Sequence, residues 1–180
     1  MTLFSAQLIA RDRSTAFLTR LYTTPLSATD FILGYTLPIL PIAVAQCVIC
    51  YAAALLLGLE ISINLLCAIL GILPAAILFV ALGLLCGSLL NDKQVGGICG
   101  ALLTNLSAWL SGTWFDLDLV GGGFRRIAYA LPFVHAVEME RALLSGSFGD
   151  VLPHLWWVLG YACVTLAAAV FFFLRQMKRQ

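Results

Sequence analysis

Apolar residues run along the chain in four blocks, and nearly all charge falls between them. Phe31 to Leu59, Ile61 to Leu90, Val95 to Phe115 and Val151 to Leu174 contain no Asp, Glu, Lys or Arg. Crossing the hydrocarbon of a bilayer takes about 20 apolar residues, so each block predicts a transmembrane helix. Several exceed that length, which predicts tilt or kinks. Pro38, Pro41 and Pro74 are the natural kink sites, since proline removes a helical hydrogen bond that neighbouring helices can replace. Asn64 and Gln46 are the most polar side chains in the first two blocks.

The segments between the blocks have patterns of their own. In "ARDRSTAFLTRLYTTPLSATD", Phe17, Leu18, Leu21 and Tyr22 share one side of a helical wheel, with Asp12, Thr15, Thr19 and Arg20 opposite. "TTPLS" (Thr23 to Ser27) then breaks the helix. The pattern alone fits a membrane-surface anchor and a docking helix equally well. The link Asp116 to Asp150 reads as two short helices dipping into or lying on the membrane interface. A glycine turn opens it, Pro132 is placed at a helix start, and Gly146 stops a helix with Phe133, Ala136, Val137, Leu143 and Leu144 on its apolar side. Glu138, three residues before Arg141, predicts a local ion pair.

Composition turns these elements into a class. Hydrophobic residues make up 62% of the 180-residue chain and charged residues 11%, with a mean hydropathy of +1.00. Soluble domains carry about a quarter charged residues, so this is an all-α integral membrane protein of about four spans. Lys and Arg mark the cytoplasmic side. The N-terminal segment, the Lys93 turn and the tail "RQMKRQ" hold seven basic residues against three in the 116–150 link. Both termini are therefore expected in the cytoplasm and the link outside, in a multi-pass protein of the cell (inner or plasma) membrane. A net charge of +1 gives no reason to expect nucleic acid as a partner.

The chain offers little catalytic chemistry. It contains no glycine-rich loop ending in Lys-Ser or Lys-Thr to cradle nucleotide phosphates. His135 and His154 are its two histidines, and neither stands at metal-ligand spacing from Cys, Asp or Glu. "CVIC" (Cys47 to Cys50) has redox spacing but lies mid-span. Ser145, His135 and Asp150 form a triad only on paper. All six cysteines fall in apolar runs and read as small buried hydrophobes. We therefore expect no enzyme activity, no metal and no cofactor bound by this chain. The blocks also lack the ionisable residue that gradient-driven transporters keep at membrane depth, so a pump built on this chain would draw its energy elsewhere. A channel needs no such charge.

Three stretches resemble the type-two permeases of ATP-binding-cassette (ABC) exporters. "RDRSTAFLTRLYTTPLSATDFILGYTLP" is similar to the family's segment between its second and third spans. "ALGLLCGSLLNDKQVGG" resembles its fourth span and the turn into the fifth. "LSGTWFDLDLVGGGFRRIAYALPFVHAVEMERALLSGSF" resembles the hallmark after the fifth, in which Pro132, Glu138 and Arg141 mark the outer-side helix. The resemblance covers nearly the whole chain in order. Asp116 stands where the family usually has proline, and the chain starts at what would be the end of the second of six spans, so the first one to two spans are expected to be missing.

The resemblance implies a membrane subunit that forms the pathway with a second permease subunit, as homo- or heterodimer, powered by separate ABC ATPase subunits that carry the ATP and magnesium. Residues 11–27 would be the coupling helix. Its ATPase contacts would be Arg13, Thr15, Phe17 and Leu18, with Leu21, Tyr22 and Pro25 following. Gly96, Gly100, Thr104, Ala108 and Gly112 recur every four residues along the third span. Small residues let membrane helices approach closely, and the resemblance assigns this ridge to the subunit boundary; Gly83 and Gly87 offer a second small face for packing within one subunit. The substrate class stays open among drug, lipid, peptide and glycan precursor. A non-transporting accessory or immunity-type protein, or an inactive truncated paralogue, is the alternative.

Overall fold

The computed structural model of the chain describes residues 1–13, 27–59 and 61–177, and these form helices and turns with no strand. The helix holding Arg11 starts at Thr2: α1 runs Thr2–Arg13. Ser27 and Asp30 begin the next, α2 (Ala28–Thr36), by a reciprocal cap. The Ser27 amide donates to Asp30 Oδ2 at 3.0 Å and the Asp30 amide to Ser27 Oγ at 3.2 Å, satisfying amides that have no helical partner. The first apolar block is not one helix. It breaks at Leu37–Pro38 and resumes as α3 (Ile39–Leu56), because Pro38 has no N–H to continue the ladder. Pro41 falls in the first turn of α3, where an amide would lack a helical partner anyway.

The second block is α4 (Ile63–Leu89), which runs on past Pro74. Its 27 residues span about 40 Å at 1.5 Å per residue. The third block is assembled from pieces: α5 (Asp92–Val95), a π-helical stretch (Gly96–Leu103) and α6 (Thr104–Leu110). This run ends five residues short of the expected Phe115, in a turn where Gly112 takes φ of 69°. After α7 (Leu117–Val120), α8 (Gly122–Ala130) and α9 (Pro132–Ser145) comes α10 (Phe148–Met177). Three stretches are long and apolar enough to cross a membrane: 63–89 and 148–175 as single helices, and 32–56 as a helical run interrupted at Leu37–Pro38. The expected third span is instead the composite run 92–110.

The chain divides into two units. The first comprises Met1–Leu40, Ile77–Thr104 and Ala162–Gln180, the second Pro41–Ala76 and Asn105–Tyr161. In the first, Ile9, Tyr35, Ile39, Val80, Leu84, Ala169 and Phe173 form the core, and Ala6, Ala10, Val95 and Cys99 a smaller cluster. α1 lies close on α4 because Gly83 and Gly87 leave room. A Cβ on Gly87 would come within 2.6 Å of the Ala6 carbonyl oxygen, and one on Gly83 within 2.5 Å of that of Thr2. In the second unit, Ala68, Met139 and Leu143 pack with Tyr51, Cys67, Leu144, Val151 and Leu155. That cluster seats α9 on α3, α4 and α10. All six cysteines are free; Cys47 and Cys99 are buried, but Cys50 and Cys163 are exposed on their helices, contrary to the expectation of burial.

Candidate functional site

The polar chemistry of the second unit gathers on α7 to α9. Asp116 caps α7, its carboxylate accepting the Asp118 amide at 2.9 Å. Asp118 pairs with Arg125 at 2.6 Å, and the Arg125 guanidinium sits 5.3 Å from the Tyr129 ring centroid. α9 starts at Pro132 and stops at Gly146, whose φ of 78° is the left-handed conformation that ends helices. The expected ion pair is present: Arg141 Nη1 lies 2.7 Å from Glu138 Oε1. The same guanidinium donates through Nη2 to the Gly112 carbonyl at 3.2 Å, tying α9 to the turn after α6. Glu138, Arg141, Tyr129 and residues 112–117 line a cavity of about 380 Å³.

Two further groups on α9 face inward. His135 is buried, with Nε2 3.0 Å from the Tyr129 carbonyl and Nδ1 2.8 Å from His154 Nδ1 on α10. A carbonyl only accepts, so His135 carries its proton on Nε2. His154 then donates from Nδ1 to the His135 lone pair, and a second proton on His135 would break the bond. Burial lowers the His135 pKa, opposed by the Tyr129 carbonyl and reinforced by His154. Trp157 stacks on His135 with centroids 4.9 Å apart.

Glu140 points into the apolar seat of α9. Its Oε2 accepts the Tyr51 hydroxyl of α3 at 3.3 Å, while Oε1 is buried and meets no hydrogen-bond partner. A Cβ on Gly71 of α4 would lie 3.3 Å from that Oε1 and clash with Leu143 Cδ1. Burial raises the Glu140 pKa from 4.5 to about 7, against the opposing pull of the Tyr51 hydrogen bond. The apolar blocks themselves carry no ionisable carboxyl, but this one reaches span side chains from the link. A signal was present: Glu140 stands seven residues after Phe133 and three or four before Leu143 and Leu144, on the apolar side of the wheel.

The family model for the ABC-2 family transporter protein matches residues 1–171. The chain belongs to the ABC-2 transporter family. It is thus a permease of the ABC transporter class, the non-catalytic membrane component. No curated protein and no solved structure matches the chain.

Within this ABC-2 permease, Arg13 is the last residue of α1, and Thr15, Phe17, Leu18, Leu21, Tyr22 and Pro25 lie outside the described residues. Gly96 belongs to the π-helical stretch, and a Cβ on it would meet nothing within 4 Å; one on Gly100 would meet Leu3 at 3.5 Å. Thr104 and Ala108 lie on α6. Gly112 falls in the turn, so the four-residue recurrence along the helix stops at Ala108. Pro132, Glu138 and Arg141 share α9. Ser145 bonds Ala142 and Ser147, and His135 bonds His154 and Tyr129, so the paper triad does not assemble from these bonds.

Proposed function

We propose that the chain is the pathway-forming subunit of an ATP-driven exporter, paired with a second permease subunit and driven by separate ATPase subunits that bind ATP and magnesium. In this reading both termini and the Lys93 turn face the cytoplasm, residues 116–150 face outward, and the Gly96, Gly100, Thr104 and Ala108 ridge meets the second subunit. The observation that supports the coupling role is how the helices on either side of this segment are held. α1 enters this segment while seated on Gly83 and Gly87, and Ser5 Oγ donates to the Val80 carbonyl at 3.4 Å. α2 leaves it, and its Tyr35 hydroxyl donates to Asp12 Oδ2 at 2.8 Å. With the helices on both sides fixed in this way, a push delivered between them would pass to α2 and α4.

An interface of this kind takes most of its energy from a few buried apolar side chains, about 2 kcal/mol or more each. Leu18→Asp with Leu21→Asp is therefore expected to abolish co-purification of the ATPase subunit while membrane insertion survives. If the double variant still binds the ATPase and stimulates ATP hydrolysis normally, the coupling assignment is wrong.

A further inference from the structure

The seat of α9 on α3 and α4 is mostly apolar, and among its polar groups, the Tyr51 hydroxyl, the Asn64 amide and the Glu140 carboxyl, only the last can take a charge near neutral pH. Met139 and Leu143 flank Glu140 and pack on Ala68, Cys67 and Tyr51. One carboxyl oxygen has the Tyr51 hydroxyl; the other is buried without a partner. A neutral carboxyl tolerates such a seat. An ionised one does not, because a buried charge with one weak hydrogen bond loses most of its hydration unreplaced. We propose that the Glu140 carboxyl is a proton-binding site whose occupancy decides whether α9 stays packed on α3 and α4.

The groups around it leave the carboxyl alone with this cost. α3 presents Tyr51, and Cys47 within range of its charge. α4 contributes Cys67, Ala68 and Gly71, and α10 contributes Val151 and Leu155; none of these is charged. On α9 itself, Arg141 is committed to Glu138 and the Gly112 carbonyl, and His135 to His154 and Tyr129. The packed carboxyl titrates at about 7 and an unburied one at 4.5. Below about 4.5 both forms are protonated and packing is at full strength. Between these values packing weakens by up to about tenfold per pH unit, and above about 7 the loss is complete. Protonation at the 116–150 link thus closes α9 down, and its loss frees the helix.

The test needs only the full permease chain in lipid nanodiscs, without an ATPase, so its outcome is independent of the exporter reading. Nitroxide labels go on cysteines at Ser145 of α9 and Ile63 of α4, both exposed, in a background lacking the native cysteines. Both positions adjoin the bond from Asn64 Nδ2 to the Leu144 carbonyl at 3.2 Å. Dipolar broadening is followed from pH 4.5 to 8.5. The expected result is broadening that falls as pH rises from about 4.5 to about 7 and is level above that. Glu140→Gln, which keeps the shape and cannot ionise, is expected to stay broadened throughout. Tyr51→Phe removes the bond that stabilises the packed carboxylate and is expected to move the loss of broadening to lower pH, by about one pH unit or less. Wild-type broadening that ignores pH, or a transition unchanged in Glu140→Gln, overturns the proposal. Separation on acidification overturns it too and assigns the switch to the His135–His154 bond, which protonation breaks.

Discussion

The two units are cut from the same apolar helices but carry opposite charge and use their polar side chains differently. Within its bounds the first holds seven basic residues against three acidic, the second three basic against six acidic. Both histidines and all four tryptophans belong to the second. In the first, polar groups fasten helix to helix: Ser5 to Val80, Tyr35 to Asp12. In the second, two titratable groups, Glu140 and His135, stand in the contacts that hold α9, each with its pKa displaced mainly by burial. Fixed hydrogen bonds suit the proposed role of the first unit in transmitting a push. A carboxyl raised to about 7 by burial suits one whose packing answers to its surroundings.

That contrast breaks first at Gly87. Gly87→Leu would drive a side chain into the Ala6 backbone, where even a Cβ is too close. Backbone cannot yield as a side-chain tip can, so the expected cost is about 3 kcal/mol, read as a loss of thermal stability that pH does not relieve. Replacing Glu140 by Gln should do the reverse, acting on the second unit and only above about pH 5. If Gly87→Leu leaves stability unchanged, α1 is not the clamp described here.

The third helical run sharpens the comparison further at Gly96, where a Cβ would meet nothing within 4 Å. Gly96→Leu has open space before it and should change the stability of the single chain by about 0.5 kcal/mol or less. Dimerisation should weaken by about tenfold, as the close approach of two backbones is lost. Cysteines at Thr104 and Ala108, in a cysteine-free background, should crosslink two subunits. Intact dimers with no crosslink at either position would move the ridge out of the interface.

What could be read from the sequence followed the range of the signal. Pro132 and Gly146 bound α9 because cap residues act within one turn, and Glu138 and Arg141 met because i and i+3 share a helix face. The break at Pro38 was expected as a kink at the right residue. The contact of His135 with His154 was not legible, because residues 19 apart meet only once α9 has folded back on α10. Nor was the π-helical winding of Gly96–Leu103: its composition matches that of any small-residue span. Glu140 is the instructive omission. Its position on the apolar side of α9 was readable, but charge was sought only inside the spans, and a helix from a link can bring charge to them. The exposure of Cys50 and Cys163 has a similar cause, since apolar membrane helices present small hydrophobes outward as readily as inward.

Sidedness is the claim on which the coupling segment, the outer link and the charge contrast all depend. Single cysteines at Lys93 and at Gly122, each in a cysteine-free background, would be exposed to a membrane-impermeant thiol reagent in intact cells and again after the membrane is opened. The account predicts labelling at Gly122 in intact cells and at Lys93 only after opening. Labelling of both from the same side, or of Lys93 alone in intact cells, would contradict it.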